Sequence, residues 1–339
     1  MKIAIDAMGG DYAPASVIDG TAEALNAYTG FDVVLVGHLE EIKPLLQKHG
    51  LDKNPRVQLV HAEQVVNMDE SSTTAIRAKK GSSVTVAAGI VGKGDADALV
   101  TIGHTGAAVA ATMIKMRTLP GVERPAIAVI LPSKEGRTVL LDAGANVECS
   151  SANLAQFAVM GEIYSKIILG LDSPKIGLMS VGDEDTKGND MTKEAFKLLS
   201  NMPINFIGNV EGCDIFKDRV DVVVCDGFVG NVVLKACEGL SKAVFHWLKK
   251  AFTKNPLRIA TALLALKPFA ELKGMGDQEE YGGAPLLGVN RICIIGHGSS
   301  SPKAVKNAIR VAVELVNKNL NEEILKKLQA SNAMINVGH

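Results

Sequence analysis

The sequence predicts an α/β protein: a mostly parallel sheet covered by helices on both faces. Three observations predict it. Short β-branched runs alternate with helix-period segments from one end of the chain to the other. Apolar residues make up 47% of the 339 residues, the composition of a folded globular chain. Successive apolar runs end directly on Asp or Gly, at Asp6, Gly103, Asp142, Gly182 and Asp226. Ligands of open α/β sheets bind outside the carboxyl ends of strands, so these five positions mark the expected site.

The elements follow in order. Lys2–Ala7 reads as a strand and Pro14–Tyr28 as a helix. Asp32–Gly37 is a strand and Leu39–His49 a helix. Ala98–Ile102 is a strand ending at Gly103, and Ala107–Met116 the helix after it. Thr138–Asp142 is a strand and Asn153–Leu169 a long helix. Lys175–Met179 and Val220–Cys225 are further strands, each followed by a helix, and Arg291–Ile295 is the last strand. With no repeat, low-complexity tract or long linker, residues 1–339 are expected to form a single domain. A helical excursion is expected at 249–273 and a polar C-terminal helix at 317–339.

Charge and composition exclude several functions. Lys+Arg is 36 against Asp+Glu 37, and aromatics are 4%, so neither a basic field nor stacking platforms for nucleic acid are present. Any anion has to be held by local geometry. The five cysteines form no C-x-x-C pair, which argues against a disulfide framework or structural zinc and for a reducing compartment. Asp6 falls where a signal peptide needs apolar residues, and no run reaches the length of a membrane span; a cytoplasmic protein is expected. Between Pro256 and Pro268, eight Leu, Ile and Ala residues are surrounded by Lys249, Lys250, Lys254, Arg258, Lys267 and Lys273. This segment suits either a membrane interface or a subunit contact.

Seven stretches can carry chemistry. Asp6-Ala7-Met8-Gly9-Gly10-Asp11 allows a tight turn with close backbone approach. Gly103-His104-Thr105-Gly106 opens a helix, where free N–H groups and the dipole favour an anion; the alternative is a turn capped by Thr105. Asp142-Ala143-Gly144-Ala145-Asn146 follows the same strand-to-loop logic. Arg77, Lys79 and Lys80 form either a solvated helix end or a cationic wall. In Gly182–Asn189, Lys187 beside Gly188 is a phosphate contact, and the acids lack calcium-loop spacing. Asp226-Gly227-Phe228-Val229-Gly230-Asn231, with Lys235 one turn later, offers a cap and a donor; His297-Gly298-Ser299-Ser300 suits an anion. Nucleophile elbow, Walker loop, dinucleotide fingerprint and zincin helix are all missing.

Taken together, these strings resemble the PlsX family of bacterial phosphate acyltransferases. The resemblance rests on 6–11, 142–146, Lys187-Gly188, Asn205–Glu211, Asp226–Asn231, Tyr281-Gly282-Gly283-Ala284 and His297–Ser300, in the family's order, and runs to about residue 316. Where the family usually reads Ser-Ala-Gly-Asn-Thr-Gly-Ala, this chain has Thr101–Ala107, with His104 in place of the amide. The resemblance implies a fold like the isocitrate and isopropylmalate dehydrogenases and phosphotransacetylase, usually dimeric. It implies a fatty acyl transfer from acyl-carrier protein to inorganic phosphate, at the start of phospholipid synthesis, without metal or other cofactor. It also implies peripheral membrane association beside a membrane acyltransferase that takes the product. On this reading Lys187, Asn231 and His104 touch phosphate or the oxyanion, and Asp226 and Asp6 orient neighbouring donors. Gly9, Gly10, Gly103, Thr105, Gly106, Asn146, Lys235, His297 and Ser299 complete the substrate site. Two alternatives stay open: a metal-dependent decarboxylating dehydrogenase, whose adenosine loop His297-Gly298-Ser299 faintly resembles, and a non-catalytic carrier-protein scaffold.

Overall fold

Ile3, Ala4 and Ile5 are wholly buried, so the chain opens as an interior strand rather than an edge. The computed structural model describes residues 1–67, 70, 72–275 and 278–335. The first part comprises β1 (Lys2–Asp6), α1 (Ala15–Ala27), β2 (Asp32–Gly37), α2 (Leu39–Lys48), β3 (Val57–His61), α3 (Ser72–Ala78), α4 (Ser83–Lys93), β4 (Ala98–Ile102) and α5 (Thr105–Lys115). Next come β5 (Ala126–Pro132), β6 (Arg137–Leu141), α6 (Ser151–Leu169), β7 (Ile176–Met179), α7 (Asp190–Ser200), β8 (Phe206–Val210), a short 3-10 helix (Gly212–Phe216) and β9 (Val222–Val224). The rest is α8 (Gly227–Phe252), α9 (Pro256–Leu264), α10 (Leu266–Met275), α11 (Gln278–Tyr281), β10 (Ala284–Leu287), β11 (Ile292–Gly296), α12 (Pro302–Asn317) and α13 (Leu320–Ile335).

Among the described residues the strands form one sheet in the order β3-β2-β1-β4-β11-β10-β5-β6-β9-β7-β8. Seven of its ten pairings are parallel, as the sequence predicts. The three antiparallel ones are β11–β10, β10–β5 and β5–β6. These reversals change where the strands end. β1, β4 and β11 run one way, whereas β6, β9 and β7 run the other. The Asp and Gly residues that follow the two sets therefore leave the sheet at opposite edges. The single strand-end cluster expected from the sequence is thus two clusters.

One face of the sheet is covered by α1, α6, α7, α12 and α13, through residues such as Ile18, Phe157, Leu199, Ile309 and Leu328. The other is covered by α4 and α5, through Val84, Ala88, Ala107 and Ala111, and by the first turns of α8. The small alanines of α5 let that helix pack against β11 and against α3 and α4. The predicted polar C-terminal helix is amphipathic in place. Leu320, Ile324 and Leu328 face the core at helical spacing, and the Lys327 ammonium donates to Pro203 O (2.9 Å).

The excursion begins earlier than Lys249. On α8 only Gly227 and Gly230 are buried. Leu240 and Trp247 are exposed by 62% and 61%, and Leu257 on α9 by 76%. Within 249–273 the excursion consists of the end of α8, then α9 and most of α10, folded back so that Phe269 meets Phe252 edge to face (4.9 Å). Among the described residues no helix is long and apolar enough to cross a membrane.

Candidate active site

The first cluster gathers at the ends of β1, β4 and β11. Asp6 is buried, and its carboxylate accepts from Thr101 Oγ1 (2.9 Å) and Met8 N (3.3 Å). Burial pushes its pKa up, against hydrogen bonds from Ser83, Thr101, Met8 and Gly9. Gly9 is held to glycine by close approach: a β-carbon there would stand 2.0 Å from Ile102 O. Beyond Gly10, Asp11 N donates to Gly298 O (2.8 Å), and Gly103 N donates to Gly296 O (3.1 Å). Three turns from distant parts of the sequence are thereby stitched together. His297 Nδ1 accepts from Ser299 N (3.2 Å) and lies 2.9 Å from Ser299 Oγ at the exposed rim. Asp6, Gly9, Gly10, Ser83, Thr101 and His104 line a narrow pocket between them.

His104 is the N-cap of α5, a place that the alternative reading of this turn gave to Thr105. Its Nδ1 accepts from Ala107 N (3.3 Å), so its Nε2 carries the proton and donates to Glu70 O (2.8 Å). Both ring nitrogens are engaged by backbone groups. Thr105, exposed, and Gly106, half-buried, lie in the first turn of α5. Of the expected cationic wall, Lys79 is drawn to Val65 O (2.9 Å) and to the Glu70 carboxylate, while Arg77 and Lys80 are exposed.

The second cluster lies at the ends of β6 and β9. The sequence suggests that the 142–146 loop offers its N–H groups to an anion. The structure corrects this, because the anion is the chain's own. The Asp142 carboxylate, fully buried, accepts from Ile127 N (2.9 Å), Gly144 N (3.1 Å), Ala145 N (2.9 Å) and Asn146 N (2.8 Å). Asn146 Nδ2 donates to the same carboxylate (2.9 Å) and to Pro125 O (2.6 Å). Burial pushes the Asp142 pKa up, and these donors oppose it. Asp226 caps α8, accepting from Val229 N (2.8 Å), and Gly227 N donates to Asn146 O (2.7 Å). Asn231 is exposed on the first turns of α8 and stands beside Gly144. Lys235, one turn on, is exposed and pairs with Glu238 (2.9 Å).

Lys187 leaves the sheet at this same edge, in the loop after β7, next but one to β6. Its ammonium is half exposed and 4.0 Å from Glu184 Oε1, a loose pairing that leaves it available to a ligand. Asn189 caps the following helix α7 through Thr192 N (2.9 Å). The structure thus groups Asn146, Asp226, Asn231, Lys235 and Lys187 at one edge. Asp6, Gly9, Gly10, Gly103, His104, Thr105, Gly106, His297 and Ser299 belong to the other. Thr101 and Ser83 were not named as site residues from sequence, and Asp142 was named only as a strand end. The available signal was their place at or just beyond apolar segments, where a polar side chain needs a partner. Glu211, Cys213 and Asp214 place ligand atoms within 4.8 Å of one another, but Asp214 is already held by Lys217 (3.1 Å) and Arg219 (3.3 Å).

Comparison with known proteins agrees with this architecture. Residues 1–323 match a family model described as "Fatty acid synthesis protein". The chain is 49% identical over 330 residues to a phosphate acyltransferase of Desulfitobacterium hafniense, covering 97% of this chain and 98% of the relative. Among solved structures, a phosphotransacetylase from Streptococcus pyogenes superposes with a TM-score of 0.63 at 18% identity, over 94% of each chain. A 4-hydroxythreonine-4-phosphate dehydrogenase from Klebsiella pneumoniae gives a TM-score of 0.50 at 14% identity, over 93% of this chain and 99% of its own. The two structures speak to fold alone; the near-full-length likeness to the curated relatives speaks to descent, and the chain belongs to the fatty acid synthesis protein family, among the phosphate acyltransferases.

Proposed function

We propose that this chain transfers a fatty acyl group from acyl-carrier protein to inorganic phosphate, giving acyl phosphate for phospholipid synthesis. The observation that carries the reading is the near-full-length identity to phosphate acyltransferases. The chemistry suits the residues at the second edge. Phosphate is already an anionic nucleophile at neutral pH. One of its oxygens attacks the thioester carbonyl carbon, the oxyanion collapses, and the C–S bond breaks to release the carrier thiolate, which takes a proton from water. No serine nucleophile is needed. The protein's tasks are to orient phosphate and to stabilise the oxyanion. Lys187 supplies the charge for a dianion, and the exposed Asn231 amide supplies a neutral donor. Asp226 and the Asp142–Asn146 loop hold the start of α8 that carries Asn231. His104 acts at the other edge as a cap, and the pocket beside it, with Asp6, Gly9 and Gly10, belongs to the remainder of the substrate. His297, Ser299, Thr105 and Gly106 form its rim.

The finer features follow the same reading. The fold is of the isocitrate and isopropylmalate dehydrogenase type, in one domain carrying an excursion, and it uses no cofactor. The exposed apolar residues of α8, α9 and α10, set among lysines, support a homodimer and docking on the inner face of the membrane. A membrane acyltransferase takes the product there. One assay tests the activity: purified chain, acyl-carrier protein and phosphate, with hydroxylamine trapping of acyl phosphate. Free carrier thiol is expected to appear only with phosphate, without ATP or nicotinamide, and unaffected by EDTA. Thiol release that ignores phosphate, or that EDTA abolishes, would overturn the reading.

A further inference from the structure

Asn209 sits near the end of β8 and is 1% exposed. Its amide nitrogen donates to Glu184 O (2.8 Å), in the loop that follows the neighbouring strand β7. The same carbonyl accepts from Lys187 N (3.0 Å). One backbone oxygen therefore joins a fixed strand residue to the residue that carries the half-exposed ammonium. The other half of the amide is unsatisfied: Asn209 Oδ1 is buried with no hydrogen-bond partner among the described residues. Ser180 Oγ, at the end of β7, is a second such atom, and it lies beneath Gly188, on the other side of Lys187. An unpaired buried acceptor is destabilising, and a leucine of similar size would fill the position without that penalty. Stability alone does not account for an amide here.

We infer that Asn209 is a positioning residue for Lys187: its amide fixes the Glu184 carbonyl, and that carbonyl sets the backbone from which the lysine reaches phosphate. The inference rests on the phosphate role proposed above for Lys187. It gives the orphan acceptor a reason, because departures from polar satisfaction are tolerated where they serve a site. It also gives a lysine in an exposed loop, with only a loose ion pair of its own, a fixed backbone anchor.

The test compares Asn209→Leu, Lys187→Ala and the double variant by phosphate KM, acyl-carrier KM, kcat and melting temperature. Asn209→Leu is expected to melt no lower than wild type, because it removes the unpaired acceptor. Its phosphate KM is expected to rise about tenfold, in the range of coupled neighbours, with acyl-carrier KM unchanged. The double variant is expected to match Lys187→Ala alone. Multiplying effects in the double variant, or a lowered melting temperature with normal phosphate KM, would overturn the inference and leave the phosphate role of Lys187 standing. Normal phosphate KM in Lys187→Ala would remove that role itself, and the inference with it. Asn209→Asp is the second arm should leucine prevent folding. Its carboxyl donates to Glu184 only when protonated, so its phosphate KM, relative to wild type at each pH, is expected to fall as pH is lowered. A flat ratio would count against the tether.

Discussion

The carbonyl oxygen of Asp142 lies so close to Gly230 that a β-carbon on residue 230 would stand 1.8 Å from it. The contact joins the loop after β6 to the first turn of α8, and the two strands behind them are neighbours in the sheet. Neither side can retreat, because Asp142 is anchored by its own carboxylate and α8 by the Asp226 cap. Gly230→Ala is therefore expected to destabilise by about 1–3 kcal/mol or more, as overpacking does, and to reduce turnover by displacing Asn231. Gly239, also on α8, has nothing within 4 Å of its would-be β-carbon. Gly239→Ala should instead stabilise the helix by about 1 kcal/mol. Urea unfolding of the two variants checks both signs.

The cap geometry of His104 makes a definite statement about pH. Its ring serves Ala107 N and Glu70 O, and asparagine is a good N-cap. His104→Asn should fold, retain most activity and give a pH–rate profile superimposable on wild type. A component present only in the wild-type profile would return the imidazole to the chemistry.

The surface of α9 and α10 is open to a direct experiment. The sequence draws attention to Leu263 and Leu264, whose side chains lie outside the described residues. Leu257 and Leu266 flank them and are exposed by 76% and 59%. Leu257→Glu with Leu266→Glu should lower sedimentation with anionic liposomes while leaving turnover in solution nearly unchanged, because carboxylates are costly at an acyl boundary and harmless in water. Loss of dimer in gel filtration would assign the patch to a subunit contact instead.

Asp214 offers a pH dependence of stability. Burial works against its carboxylate, but Glu211 N (2.9 Å), Lys217 and Arg219 outweigh it and hold the pKa below the ordinary 3.8. A carboxylate more acidic in the folded chain adds stability above its unfolded pKa and loses it as pH falls through the folded value. Asp214→Asn should thus melt lower than wild type at pH 7, with the gap closing only below about pH 4. A constant gap down to pH 3 would assign the loss to packing rather than charge.

Much of this fold is legible in the sequence, and the failures have a common cause. Lys2–Asp6, Asp32–Gly37 and Ala98–Ile102 are apolar runs ended by Asp or Gly, and each is a buried parallel strand. The strands β3, β5, β8 and β10 were not read. Val57–His61 is an edge strand of mixed character, Ala126–Pro132 and Ala284–Leu287 contain proline, and Phe206–Val210 carries Gly208 and Asn209. Their strand state comes from partners supplied by distant segments, a tertiary effect that local pattern does not encode. The same limit applies to the site. The strand-end aspartates are visible in sequence, but their occupation by their own loops depends on backbone direction. The antiparallel pairing of β5 with β6 also reverses the far part of the sheet, which decides which of those loops share an edge.

That pairing order has a consequence for how the chain is made. Ala98 lies between Ile3 on one side and Ile292 on the other. The early strands, complete by Ile102, therefore carry an unpaired apolar edge on β4 until Ile292–Gly296 has been synthesised. α12, which packs on α1, arrives later still. Pairings so distant in sequence form slowly, and an open edge invites other strands meanwhile. The N-terminal half is thus not a unit that matures on the ribosome. A chain stopped after α8 lacks the strand that closes β4, and it is expected to aggregate rather than persist as a folded fragment.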